Sequence, residues 1–185
     1  NLVRARADAN SIGFALTWAT LLGAFERDSD RVHAAGTHLL DHSTRTGGLF
    51  WGHIGNWGLG TAELLRGNAN GLVLAKAGSD GFVATGALQH VPFLKLSLVE
   101  GHTLYGDTAE ALAVVEEIRD LIERTEQRFY EPEMHRLRGV VLEKVGRTEE
   151  AALAYGTAIA VAEAQGSVPW RDRAAANLRA LGTRG

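Results

Sequence analysis

Residues 107–166 read DTAEALAVVEEIRDLIERTEQRFYEPEMHRLRGVVLEKVGRTEEAALAYGTAIAVAEAQG, and this stretch decides the fold. Between Thr108 and Thr125 the apolar residues Ala111, Leu112, Val115, Ile118, Leu121 and Ile122 recur at three- and four-residue steps. That is the spacing of one helical face. Asp107 stands just before the run and Glu110 three residues on, an arrangement that caps a helix N-terminus. After breaks at Thr125-Glu126 and Val145-Gly146-Arg147, a second stripe runs through Ala151, Ala152, Tyr155, Ile159 and Ala162. Thr148, Glu149 and Glu150 put negative charge where that helix begins, opposite its positive dipole end. Nowhere is there the sustained period-two alternation of a half-buried strand.

The same punctuation extends over the whole chain. Thr46-Gly47, Thr85-Gly86, Thr125-Glu126 and Gln165-Gly166 lie 39, 40 and 40 residues apart. Between them fall Glu26-Arg27-Asp28, Arg66-Gly67-Asn68, Tyr105-Gly106-Asp107 and Val145-Gly146-Arg147. Two turn sets interleaved at half the period mean two elements per repeat. The pattern predicts helices at about 10–26, 30–45, 49–66, 69–84, 88–105, 108–125, 128–145, 148–165 and 168–181. Pro92, Pro132 and Pro169 all fall in a first helical turn, where a missing N–H costs nothing.

Composition narrows the function classes. With 185 residues, 45% hydrophobic and 22% charged, the chain is an ordinary folded polypeptide. The absence of cysteine excludes disulfides, thiol nucleophiles and cysteine-ligated zinc. A net charge of -3 argues against direct nucleic-acid binding. Residues 107–150 carry 12 acidic and 7 basic groups, a pattern of solvated helix faces. The uncharged stretch from Ala9 to Phe25 is marginal in length and too polar for a membrane span. No basic segment with an apolar core and cleavage site marks an export signal, so a cytoplasmic location is expected. The chain starts at Asn1 and its only methionine is Met134, from which we expect it to be a piece of a larger protein.

The repeat containing Gly139, Leu142, Gly146, Ala151, Tyr155 and Ala158 resembles the tetratricopeptide family, with small, large, turn-glycine, small, aromatic and small residues in order. Gly60 and Gly67 repeat the Gly139–Gly146 spacing, whereas Val99 replaces the first glycine in the third repeat. The period of about 40 is longer than the family's usual 34. The resemblance implies an all-α fold, a right-handed α-solenoid of about four tetratricopeptide-like hairpins. The repeats fall at about 10–46, 47–85, 86–125 and 126–165, with a capping C-terminal helix at 168–181, in one domain spanning 1–185. Residues 124–139, RTEQRFYEPEMHRLRG, are similar to the C-terminal helical region of large bacterial signalling ATPases. In those proteins such repeats follow an ATP-binding domain joined to a nucleotide cyclase or DNA-binding domain.

What the family implies about function is binding without catalysis and without a cofactor. The first helix of each pair lines a concave surface. Transferring that phase places Ile54, Trp57 and Thr61, then Phe93, Leu96 and Glu100, then Glu133, Arg136 and Val140 in a groove. Such a groove, apolar at one end and charged at the other, suits a protein or peptide segment or an amphipathic small ligand. The upstream ATPase or output domain of the same chain is a further expected partner; a membrane is not.

Three local features invite other readings. His38 and His42 are four apart on one helix face, as zinc hydrolases require, and Asp41 stands beside them. No third ligand is evident, so a solvated helix face is expected there and at His33, with a metal-dependent hydrolase as the alternative. Residues 47–60, GGLFWGHIGNWGLG, hold no lysine followed by Ser or Thr, which excludes a phosphate loop. Glycines there cost about 1 kcal/mol each relative to Ala inside a helix. Close helix packing or a backbone left open for a ligand beside Trp51 and Trp57 would offset that. His135, Arg136 and Arg138 beside Glu131 and Glu133 read as a helix-surface charge network. A structural dimerisation arm is the remaining alternative.

Overall fold

The computed structural model describes the backbone of residues 2–183 and the side chains from Asp8 onward. The chain is all-helical, with no strand among the described residues. The elements are α1 (Leu2–Glu26), α2 (Ser29–Thr46), α3 (Leu49–Leu65), α4 (Gly71–Ala84), α5 (Val91–Tyr105), α6 (Thr108–Thr125), a short 3-10 turn (Arg128–Tyr130), α7 (Glu131–Lys144), α8 (Thr148–Ala164) and α9 (Val168–Gly182). No described helix is long and apolar enough to cross a membrane.

The turns lie where the sequence spacing puts them, and they share one geometry. Arg27, Gly47, Gly67, Gly86, Gly106, Glu126, Gly146 and Gly166 all have positive φ, at intervals of 19 or 20 residues. A left-handed residue just past a helix end lets its N–H satisfy a carbonyl of the last turn. Gly47 does so with φ 71°, donating its N–H to Ser43 O at 2.8 Å. Asp107 caps α6 through Glu110 N, and Asp28 caps α2 through Arg31 N at 3.0 Å.

Three boundaries depart from the sequence expectation. Helix α1 reaches back to Leu2 rather than starting near residue 10, through an alanine- and arginine-rich segment of good helix formers. Helix α5 starts at Val91 because His90, at φ 60°, is left-handed and cannot continue a helix. Helix α7 is preceded by the 3-10 turn because Pro132 has no N–H to give Arg128 O. The Glu131 N–H bonds to that carbonyl instead.

The molecule divides into two compact units, Asn1–Ser97 and Leu98–Gly185, with the division inside α5. In the first unit α3 is the most enclosed helix, and its glycines mark the close approaches. Gly55 lies against Gly36 and Leu40 of α2, and Gly58 against Thr20 of α1. A Cβ on Gly60 would overlap the backbone nitrogen of Ala75, so α3 and α4 touch backbone to backbone. Close packing is thus the use of the glycine-rich segment, and Trp51 and Trp57 within it are buried.

The second unit is built around α7 and α8. Leu142, Ala151, Ala154, Tyr155 and Leu181 form its core, with Leu112, Val140 and Leu178 packed against it. The Tyr155 ring fills the space above Gly139, where a Cβ would lie 2.5 Å from the ring. Its hydroxyl donates to Glu143 Oε2 at 2.9 Å.

Candidate functional site

One helix stripe and its neighbours assemble the polar site of the second unit. On α7, Glu133, Arg136, Val140 and Glu143–Lys144 follow at steps of three to four residues and so share a face. Across from them α9 presents Asn177 and Ala180, and α5 contributes Glu100 and the Thr103 carbonyl. Val140, Glu143, Lys144, Asn177 and Ala180 line a shallow depression of about 420 Å³.

One lining residue, Asn177, is held by a buried ion pair. Glu133 and Arg136 are both buried. Arg136 donates from Nε to Glu133 Oε2 at 2.8 Å and from Nη2 to Oε1 at 2.7 Å, a two-pronged pairing. Its Nη1 donates to Asn177 Oδ1 at 3.1 Å, which ties α7 to α9 and fixes the amide at the rim of the depression. Glu100 Oε1 lies 3.9 Å from Nη2. Burial works against the guanidinium charge, but Glu133, through its charge and hydrogen bonds, and then Glu100 outweigh it and hold the arginine above its ordinary pKa. Lys144 Nζ donates to the Thr103 carbonyl at the far end. The depression therefore has aliphatic walls at Val140 and Ala180 between an ammonium, a carboxylate and a fixed amide.

This arrangement corrects the surface reading of the charges on α7. Only the outer members stay near solvent: His135 Nε2 is 4.0 Å from Glu131 Oε1. Partial burial, and secondarily Arg138, hold the His135 pKa below its ordinary value.

Of the nine groove positions expected from sequence, the structure brings Glu100, Glu133, Arg136 and Val140 together. Ile54, Trp57, Thr61, Phe93 and Leu96 lie elsewhere, in the interior of the first unit. Trp57 is 1% exposed, has its ring centroid 5.9 Å from that of Phe93 in a tilted contact, and donates its indole N–H to Leu94 O and Ser97 Oγ, both at 2.9 Å. A ligand would reach these five only by parting helices. Lys144, Glu143, Asn177 and Ala180 were missed. Lys144 and Glu143 continue the stripe of Arg136 and Val140, so helical spacing alone would have found them. Nothing in the sequence pairs Asn177 with Arg136, 41 residues away.

His38 and His42 do not act as a pair. His38 is exposed, whereas His42 is buried with its ring 6.2 Å from that of Trp51. Among the described residues no three His, Asp or Glu side chains converge as a metal site would need. The chain matches no protein-family profile, and no curated protein matches it significantly.

Proposed function

We propose that this chain is a non-catalytic helical-repeat module that binds a protein or peptide segment in the depression between α7 and α9. The observation that carries this reading is the buried Glu133–Arg136 pair holding Asn177 beside Val140, Lys144 and Ala180. A buried ion pair adds little stability over apolar packing, and orienting neighbouring groups is a use for one. At about 420 Å³ the depression is the size of a pocket for one or two side chains. Lys144 suits an acidic group, Glu143 a basic one, and the aliphatic walls the carbon chain between.

The finer architecture belongs to the same proposal: about four tetratricopeptide-like helix pairs and a closing α9, wound right-handed. The left-handed turn residues at near-constant spacing support it. The setting proposed is the regulatory helical part of a bacterial signalling ATPase in the cytoplasm. Occupancy of the depression would favour one arrangement of the helices and so bias an attached output domain.

The test is selection of peptides from a random display library on the immobilised chain, followed by titration against the Ala180→Trp variant. Filling the depression is expected to weaken the selected peptides at least about tenfold, or 1.4 kcal/mol. Unchanged affinity for a folded Ala180→Trp protein rules the site out.

A further inference from the structure

Asn177 joins the buried ion pair to the depression, and chemistry fixes which way its amide faces. Arg136 Nη1 lies 3.1 Å from Asn177 Oδ1. A guanidinium carries donors and no acceptor, so only the amide oxygen can face it. Turning the amide over would set donor against donor. Arg136 cannot swing aside to allow that, because its Nε and Nη2 are held by the two oxygens of Glu133. The Asn177 NH2 group is therefore directed away from the ion pair.

That group is left for a ligand. Asn177 is half-buried and lines the depression, and its NH2 group donates to no described residue. The charged lining groups already have protein partners. Glu143 Oε2 accepts from the Tyr155 hydroxyl at 2.9 Å, and Lys144 Nζ donates to the Thr103 carbonyl. Whatever sits on Asn177 must bring an acceptor.

Charge decides which acceptor. Two carboxylates, Glu133 at 2.7 Å and Glu100 at 3.9 Å, surround the single guanidinium of Arg136. The cluster that holds Asn177 is thus net negative. Lys144 lies eight residues along α7 from Arg136, about 12 Å of helix rise, and does not offset the excess there. A carboxylate seated on the amide would face that excess in a half-buried site, where charges are screened less than in water. A neutral carbonyl oxygen accepts the same hydrogen bond without the repulsion. The walls at Val140 and Ala180 suit an aliphatic group beside it. An amide carbonyl next to an aliphatic side chain is the repeating unit of an apolar peptide segment.

We propose that Asn177 sets the specificity of the depression by donating from its NH2 group to an uncharged amide carbonyl of an aliphatic peptide segment. This rests on the reading of the depression as the binding site.

The experiment is NMR titration of the full chain with two probes. N-acetyl-leucine N-methylamide is uncharged, and N-acetyl-leucine carries a carboxylate. The parent is compared with Asn177→Asp and Ala180→Trp, each checked for the parental circular dichroism. Asn177→Asp keeps an oxygen toward Arg136 and exchanges the NH2 group for a second acceptor. The amide probe is expected to bind the parent with a Kd of roughly 1 mM and to shift the Asn177 side-chain NH2 resonances. The carboxylate probe is expected to bind at least about tenfold more weakly, and Asn177→Asp to weaken the amide probe by about tenfold or more. Equal or tighter binding of the carboxylate probe overturns the proposal. So does undiminished binding of the amide probe to folded Asn177→Asp, or no binding to the parent at about ten times the expected Kd. If Asn177→Asp does not fold, the parent decides, and NH2 resonances unmoved at saturation overturn the assignment. Amide-probe binding that Ala180→Trp leaves intact removes the depression itself as the site, and the proposal with it.

Discussion

Removal of the Arg136 side chain is the sharpest test of the buried ion pair. The Glu133 side chain is 5% exposed, and both its oxygens accept from Arg136. In Arg136→Ala the carboxylate keeps its burial and loses both bonds, while Asn177 Oδ1 loses its donor. Breaking a buried pair from one side costs about 3–5 kcal/mol. A surface pair of the same residues would cost about 0.2–1 kcal/mol. The two readings are separable by urea unfolding, with amide exchange resolved to α7 and α9 so that the second unit is followed by itself. Replacing both partners by apolar residues, Glu133→Leu with Arg136→Met, leaves no buried carboxylate. It is expected to be more stable than Arg136→Ala by about 2 kcal/mol or more. A loss under about 1 kcal/mol in Arg136→Ala would show that the pair is hydrated like a surface bridge and does not hold Asn177 in place.

Two glycines are expected to respond with opposite sign. Gly60→Ala drives a Cβ into the backbone of α4 and should destabilise by about 1–3 kcal/mol. Gly156→Ala, where a Cβ meets nothing within 4 Å, should stabilise α8 by about 0.5–1 kcal/mol; thermal melts of the pair check both. Burial depresses the pKa of His90, and burial with Arg138 that of His135, so the folded chain takes up fewer protons than the unfolded one. Their contribution is whole above the unfolded value of about 6.5 and is lost as pH falls through the folded values. Urea midpoints should therefore drop on acidification below about pH 6.5, and less steeply in a His90→Gln/His135→Gln variant.

The helices and their punctuation follow from local residue order. Helical periodicity and capping are local, so the α6 stripe, the Asp107 cap and the turns from Gly47 to Gly166 were legible from residue order. The start of α7 was less so, because the lost bond at Pro132 acts through the competing 3-10 geometry of the turn before it. Which helix sides face other helices depends on long-range packing. Trp57 and Arg136 occupy matching places in the repeat, yet Trp57 is sealed between α3 and α5 while Arg136 holds Asn177, which lines the depression. The difference arises from neighbours far along the chain. Leu94 and Ser97 offer the indole N–H two acceptors 37 and 40 residues on. Asn177 meets Arg136 from 41 residues away. Contacts at that separation depend on how closely helices approach, which is set by the bulk of facing side chains at Gly60 against Ala75 or Gly139 against Tyr155. Residue order shows that those glycines exist; the packed structure shows what each one admits.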